Sequence, residues 1–227
     1  MKPIGVYVER GGKKTFASAL DWPGWSRSGR SEEDALAALV AYGPRYADVV
    51  SGTQTRFPVP KSVEDLEIVE RVRGGAGTDF GVPGEPASTD GRPLDGDELR
   101  RLQILLEAAW QAVDSAADRA ARAGIELRKG PRGGGRDVDK IRVHVFEAER
   151  AYLNKLGGRV PADRSDDMAG VRETALETLT ARGSGELVPN PSSARTLWSI
   201  RYFVRRSAWH ALDHAWEIED RSRPEEG

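Results

Sequence analysis

The N-terminal part of the chain contains short stretches in which apolar and polar residues alternate, a pattern typical of β-strands. Residues 4–8 are rich in β-branched and aromatic side chains, a glycine pair follows as a turn, and residues 15–20 would complete a hairpin. The sequence DWPGW at 21–25 predicts a second turn, which leads into a short third strand at 26–29. A last strand is predicted at 66–72.

One helix is predicted between the third and the last strand. Ser31 is a favoured N-cap residue, and the three acidic residues after it would fill the first turn, where the helix macrodipole favours anions. Leu36 and Leu39 then recur at helical spacing, and the pattern ends near Tyr42. The order β-β-β-α-β predicts a small α+β unit over residues 1–74.

The rest of the chain changes character. Residues 75–93 are rich in Gly, Pro, Ser and Asp without periodicity, which predicts a linker. Residues 94–227 repeat apolar positions at helical spacing, with Asp95 or Asp97 as the first cap. The predicted helices lie at about 95–123, 137–156, 165–181 and 192–221. Four amphipathic helices with one long connection predict an all-α, up-down four-helix bundle.

Composition narrows the class of protein. The chain has 227 residues, 38% hydrophobic and 31% charged, without an apolar run of membrane-spanning length or a signal-peptide core, so we expect a cytoplasmic protein with no membrane partner. A net charge of −2 gives no basic field for a phosphate backbone, so no nucleic-acid partner is expected. Because there is no cysteine, any reacting thiol must arrive on a cofactor.

All three histidines fall on predicted helices of the C-terminal half. His210 and His214 are four residues apart, so both rings project from one side of the fourth helix and can reach one metal ion. If the second helix is its neighbour, His144 would complete a three-histidine site with an open coordination position, as in catalytic metal sites. Hydrogen-bonded core histidines are the alternative.

Both histidine-bearing helices have a predicted heptad seam in which small residues leave room beside the rings. The seam of the second helix is predicted to be Ile141, His144, Ala148 and Ala151. The seam of the fourth helix is predicted to be Leu197, Ile200, Val204, Ser207, Ala211, His214 and Ile218.

Two further sets of polar residues are candidates for the site. Glu147 and Glu217 each lie one helical turn beyond a histidine, and either could orient a ligand, accept a proton or be a solvated helix residue. Lys129, Arg132 and Arg136 belong to a glycine-rich basic segment before the second helix. They could hold a carboxylate or phosphate near the metal, or belong to a flexible solvated loop.

The fourth helix also carries an aromatic and a basic pattern. The aromatic stripe predicts a core face or an interdomain contact, and consists of Trp198, Tyr202, Trp209 and Trp216. The basic residues Arg201, Arg205 and Arg206 are predicted to form a solvated face.

The C-terminal half resembles the DinB/YfiT-like superfamily of four-helix bundles, through His144 in VHVFEAERAYL and the histidine pair in SAWHALDHAWEIED. In that superfamily one histidine of an early helix and an HxxxH pair of a late helix bind a divalent metal, usually nickel or zinc. The resemblance therefore implies His144, His210 and His214 as ligands. Members include S-transferases that use bacillithiol or mycothiol, mycothiol-dependent maleylpyruvate isomerases and proteins proposed to be metal hydrolases.

The N-terminal part is similar to HicB-like domains, through the strand, D-x-P-G turn, strand and acidic-capped helix of TFASALDWPGWSRSGRSEEDALAAL. HicB proteins are antitoxins that neutralise a small ribonuclease and commonly carry a DNA-binding segment, but here a linker and a bundle follow. We therefore expect this domain to pack on the bundle, cover the metal pocket or mediate a homodimer. Trp22 and Trp25 could serve that interface or anchor the turn on its own core.

Together these patterns predict a two-domain protein in which nickel or zinc activates a low-molecular-weight thiol or water. The reaction would be transfer, isomerisation or hydrolysis of a small-molecule substrate. The alternative is a non-catalytic binding or regulatory protein, in which the HicB-like domain contacts a protein partner and the bundle is a scaffold. The sequence leaves open whether the protein is an enzyme.

Overall fold

A computed structural model describes residues 2–129, 135–186 and 197–223. Over these residues the chain is a mixture of α and β structure, with one four-stranded sheet and seven α-helices. The strands are β1 (Ile4–Arg10), β2 (Thr15–Ala19), β3 (Ser26–Gly29) and β4 (Leu66–Arg73), arranged in the order β3-β2-β1-β4. β1 pairs antiparallel with β2 and parallel with β4, so the sheet is mixed. All four predicted strands are confirmed.

Two helices, α1 (Glu32–Ala41) and α2 (Gly43–Val50), lie between β3 and β4, where the sequence analysis predicted one. Ser31 caps α1 as expected, because its hydroxyl accepts a hydrogen bond from the Asp34 N–H and the Asp34 carboxylate accepts one from the Ser31 N–H. The helical pattern was predicted to end near Tyr42, but Gly43 and Pro44 instead open α2, since proline is compatible with the first turn of a helix.

The segment 75–93, expected to be a linker, is fastened to the sheet and contains a short helix, α3 (Ala76–Phe80). The buried carboxylate of Glu9 on β1 accepts hydrogen bonds from the Thr78 hydroxyl and from two backbone N–H groups of the segment. Asp79 accepts two more from the backbone of the β1–β2 turn. These contacts hold the segment against the edge of the hairpin.

Four long helices follow, in agreement with the predicted number. They are α4 (Gly96–Arg122), α5 (Val138–Leu156), α6 (Met168–Gly183) and α7 (Ile200–Ser222). Each begins at a side-chain cap, and the caps are Asp95, Asp137, Asp167 and Ser199. The predicted start of the fourth helix near 192–193 lies outside the described residues. None of the described helices is both long and apolar enough to span a bilayer.

α7 is the central helix of the molecule, in contact with α4, α5 and α6. Two residues of the predicted aromatic stripe pack on the N-terminal unit (residues 2–74), in agreement with the interdomain contact that was one of its two predicted roles. Trp209 lies edge-on to Phe16 of β2, and Trp216 lies edge-on to Tyr42. One continuous apolar core therefore joins the N-terminal unit to the long helices.

The DWPGW turn contributes to the same interface. Trp22 and Trp25 pack against Tyr46 and Phe57 within the N-terminal unit, so the tryptophans anchor the turn on its own core. Gly24, with φ of 90°, rests directly on α7. A positive φ and a close helix both favour glycine at this position.

Two predicted helix faces are wrong. On α5, Ala151 is exposed, and the buried face follows four-residue steps through Ile141, Val145 and Glu149 instead of the predicted heptad. On α7, the basic residues are not a solvated face. Arg205 is only 6% exposed and pairs with Asp90, and Arg201 pairs with Glu98. The reason is that the N-terminal unit and the 75–93 segment cover this side of α7, so its charged groups need partners.

Candidate metal centre

The three histidines converge where α5 packs on α7. The Nε2 atoms of His144 and His210 are 3.2 Å apart, and one ring nitrogen from each of the three histidines lies within 4.8 Å of the others. His210 and His214 are 7% and 8% exposed, while His144 is partly exposed. α5 and α7 are therefore neighbours, which the metal hypothesis required.

The spacing of the nitrogens is compatible with a divalent metal. Two imidazole nitrogens on a tetrahedral zinc ion are about 3.3 Å apart, since each Zn–N bond is about 2.0–2.1 Å long. The observed separation of 3.2 Å between His144 and His210 is close to this value. The three residues could hold a metal ion.

Their protonation state also suits metal binding. Burial lowers the pKa of His144, and lowers that of His210 well below its ordinary value. The charges of His214 and Arg136 act in the same direction on both rings, and Arg206 adds to the effect on His210. Because a metal binds the neutral imidazole, His144 and His210 are in the binding form near neutral pH.

Glu217 orients His214. One carboxylate oxygen lies 2.8 Å from Nδ1 of His214, and the other accepts a hydrogen bond of 2.7 Å from Arg221. Burial opposes ionisation of Glu217, but these two partners outweigh it and lower the pKa of the carboxyl. A carboxylate on Nδ1–H leaves Nε2 as the ligand atom, as in carboxylate–histidine–metal arrangements. Of the roles that the sequence left open for Glu217, the geometry favours orientation of a ligand.

The environment of His210 is unusual for a core histidine. Its Nδ1 atom is buried and has no hydrogen-bond partner among the described residues, and its Nε2 atom faces another histidine. Buried polar atoms in a structural core are normally satisfied by protein groups. The approach of the two Nε2 atoms is compatible with a shared metal ion.

The other predicted site residues are dispersed. Arg136 lines the cavity next to the histidines. Glu147 is exposed on α5 and does not line that cavity, and Lys129 is exposed and outside it as well. Arg132 lies outside the described residues. Of the three basic residues predicted for the site, Arg136 is therefore the one that the described part of the chain places near the histidines.

The histidines open onto a cavity of about 1170 Å³ between the N-terminal unit and the long helices. The wall on α5 and α7 combines aromatic side chains with the histidines and several charged residues, while strands and the 75–93 segment contribute to the opposite wall. Residues of the two walls include Tyr152, Trp209 and Trp216 on one side and Phe16, Arg27 and Val82 on the other. The N-terminal unit thus covers the pocket, which is one of the roles expected for it.

Sequence reasoning missed Arg206, which lines this cavity one helical turn before His210. The available signal was the four-residue step that joins Arg206, His210 and His214 on one face of α7. A basic residue on a helix is usually solvated, and the sequence alone did not reveal that α7 is enclosed.

Comparisons of the chain with protein-family models, with curated proteins and with solved structures found no match. The likeness to DinB-like bundles and HicB-like domains therefore stays an expectation from sequence. The function has to be argued from the candidate metal centre itself.

Proposed function

We propose that this protein is a divalent-metal-dependent enzyme built as a HicB-like domain followed by a DinB-like four-helix bundle. In this proposal His144, His210 and His214 hold nickel or zinc, and the site activates a low-molecular-weight thiol of the mycothiol or bacillithiol type, or water. The observation that carries the proposal is the convergence of three ring nitrogens, within 4.8 Å of one another, at the wall of a large cavity.

Three protein ligands leave room for an external nucleophile, and the absence of cysteine means that a thiol must come from outside the chain. A divalent metal bound there would lower the pKa of a thiol or of water towards neutrality. Glu217 would hold the proton on Nδ1 of His214 and so keep Nε2 directed to the site. The aromatic walls, Phe16 and Trp209 among them, would limit access of bulk water.

In S-transfer the thiol would lose its proton to solvent, and its sulfur would form a bond to an electrophilic carbon of the substrate. The leaving group would depart with the electron pair of the bond that breaks. In hydrolysis a water oxygen would take the place of the sulfur. The substrate would lie in the cavity between the N-terminal unit and the long helices, beside the three histidines.

The test uses cobalt(II)-loaded protein, because a thiolate on cobalt gives a charge-transfer absorption band. Titration with mycothiol, bacillithiol or cysteine should produce this band in the wild type, and their S-methyl derivatives should not. His144→Ala should abolish the band, whereas Val143→Ala, at an exposed neighbour on α5, should retain it. A parallel assay of 4-nitrophenyl acetate hydrolysis tests activation of water. Identical behaviour of His144→Ala and the wild type in both assays would contradict the proposal.

A further inference from the structure

Arg206 has an unusual environment for an arginine. Its guanidinium lies between two aromatic rings, 4.6 Å from the Trp209 ring centre and 5.2 Å from that of Tyr152. The Nη1 atom is buried and has no hydrogen-bond partner among the described residues. A buried charged donor normally has an acceptor, because leaving it unpaired is costly. Arg206 is therefore positioned to receive an anion.

The other arginines of α7 have carboxylate partners. Arg201 pairs with Glu98, Arg205 with Asp90 and Arg221 with Glu217. No carboxylate of the described residues forms such a pair with Arg206. Its positive charge faces the cavity without a counter-charge.

The carboxylates that line the same cavity are already paired with other arginines. Asp213 lies 3.2 Å from Arg27, and Asp220 lies 3.0 Å from Arg45. Glu217 binds Arg221 and His214. The cavity therefore keeps an excess of positive charge around Arg206, and a divalent metal would increase it.

We propose that the cavity binds a small organic carboxylate, whose acid group pairs with Arg206 and whose apolar body lies on the aromatic wall. A planar guanidinium matches a carboxylate in a two-bond pair, and the flanking rings suit a flat ligand better than a tetrahedral anion. The Cβ atoms of residues four apart on a helix are about 6 Å apart. With its acid group on Arg206, the ligand would therefore extend about one helical turn to place its reacting group beside His210. This inference rests on the proposed function, since it assigns the substrate class of that metal site.

Benzoate and phenylacetate are suitable probes, with benzamide and phenylacetamide as uncharged analogues of the same shape. Binding is measured by isothermal titration calorimetry on metal-stripped and zinc-loaded protein. We expect Arg206→Gln to weaken carboxylate binding at least tenfold and Arg206→Lys to weaken it less. Arg100→Gln, which removes an exposed arginine on α4, should leave it unchanged. The amides should bind at least tenfold more weakly than the acids.

Equal carboxylate binding by Arg206→Gln and the wild type would overturn the inference, and so would binding of inorganic phosphate as tight as that of benzoate. If Arg206→Gln does not fold, Arg206→Lys decides, because it keeps the charge and loses the two-bond geometry. Metal analysis of the same samples separates the two proposals. Bound metal without Arg206-dependent carboxylate binding defeats this inference alone, and Arg206-dependent binding to a chain that takes up no metal defeats the proposed function alone.

Discussion

Single residues of α7 carry most of the chemistry that we propose for this protein. Arg206, His210 and His214 follow one another at four-residue steps and face one cavity. The sequence was enough to select the histidines as candidates, because all three lie on predicted helices and the four-residue spacing of His210 and His214 suits a shared metal ion. It was not enough to select Arg206, because the burial of its Nη1 atom is produced by distant parts of the chain.

A substitution at Glu217 tests whether its carboxylate positions His214, one of the proposed metal ligands. Glu217→Gln should weaken zinc or nickel binding by about 10- to 100-fold, because the amide orients His214 less well and raises its basicity less. Competition with a chromophoric chelator measures the affinity. Glu147→Gln is the matched control, since Glu147 lies one turn beyond His144 but is exposed. Equal affinities for the two variants would show that Glu217 is not a positioning residue.

Glu149 should make the free energy of unfolding depend on pH. It is 4% exposed on α5, and burial raises its pKa to about 7, although the nearby charge of Arg172 opposes the shift. Since this pKa exceeds the ordinary glutamate value of 4.5, protonated Glu149 favours the folded state below about pH 4.5, and that contribution is lost as pH rises through 7. Glu149→Gln cannot ionise, and Arg172 keeps Asp114 as a partner.

Relative to the wild type, Glu149→Gln should therefore gain stability as the pH rises, by up to about 3 kcal/mol at full ionisation. Urea unfolding at about pH 5.5 and pH 8.5 measures the difference. Glu177→Gln, at an exposed position of α6, should show no such gain. A gain for Glu149→Gln that is the same at both pH values would contradict the assignment.

At the scale of elements, local signals were sufficient where they were strong. The strands, the Ser31 cap and the start of α4 near Asp95 were predictable because capping chemistry and periodicity are properties of short sequences. Helix α2 and the packing of the 75–93 segment on the hairpin were not predictable in this way. The start of α2 resembled a helix end because it contains Gly43 and Pro44. The 75–93 segment is ordered by two carboxylates, that of Glu9 on β1 and that of Asp79 within the segment itself.

The DWPGW turn provides a test of how one element rests on another. A Cβ on Gly24 would lie 2.7 Å from a methyl carbon of Leu212, and the φ of 90° is itself unfavourable for other residues. Gly24→Ala should therefore lower the free energy of unfolding by about 1–3 kcal/mol. Gly52→Ala is the control, because nothing lies within 4 Å of its added Cβ. Equal unfolding midpoints for both variants in urea would show that Gly24 is not closely packed against α7.

At the scale of the whole molecule, the N-terminal unit, the 75–93 segment and the long helices form one packed structure around α7. The buried pair between Asp90 and Arg205 ties the segment to α7, and Tyr202 donates a hydrogen bond of 2.6 Å to the Gly84 carbonyl. The sequence showed two compositionally different halves and allowed them to pack together, but it did not reveal which residues form the contact. Contacts of this range depend on which surfaces meet, and no local pattern encodes them.

Removing Asp90 tests this connection. Asp90→Ala would leave the guanidinium of Arg205 buried without its partner, and should lower the free energy of unfolding by about 3–5 kcal/mol. Asp97→Ala, which breaks an exposed pair with Arg100, should change it by less than about 1 kcal/mol. Urea denaturation followed by tryptophan fluorescence compares the two. Similar small losses would mean that the 75–93 segment is held by other contacts.

The measurement that tests the central claim most directly is the metal content of the untagged protein, determined by elemental mass spectrometry. The wild type and Glu147→Gln should contain about one nickel or zinc ion per chain, since one three-histidine site is proposed. His210→Ala should lose the metal while its far-ultraviolet circular dichroism stays that of the wild type. Absence of metal from the wild type, even after incubation with nickel or zinc, would contradict the account and make the three histidines core residues.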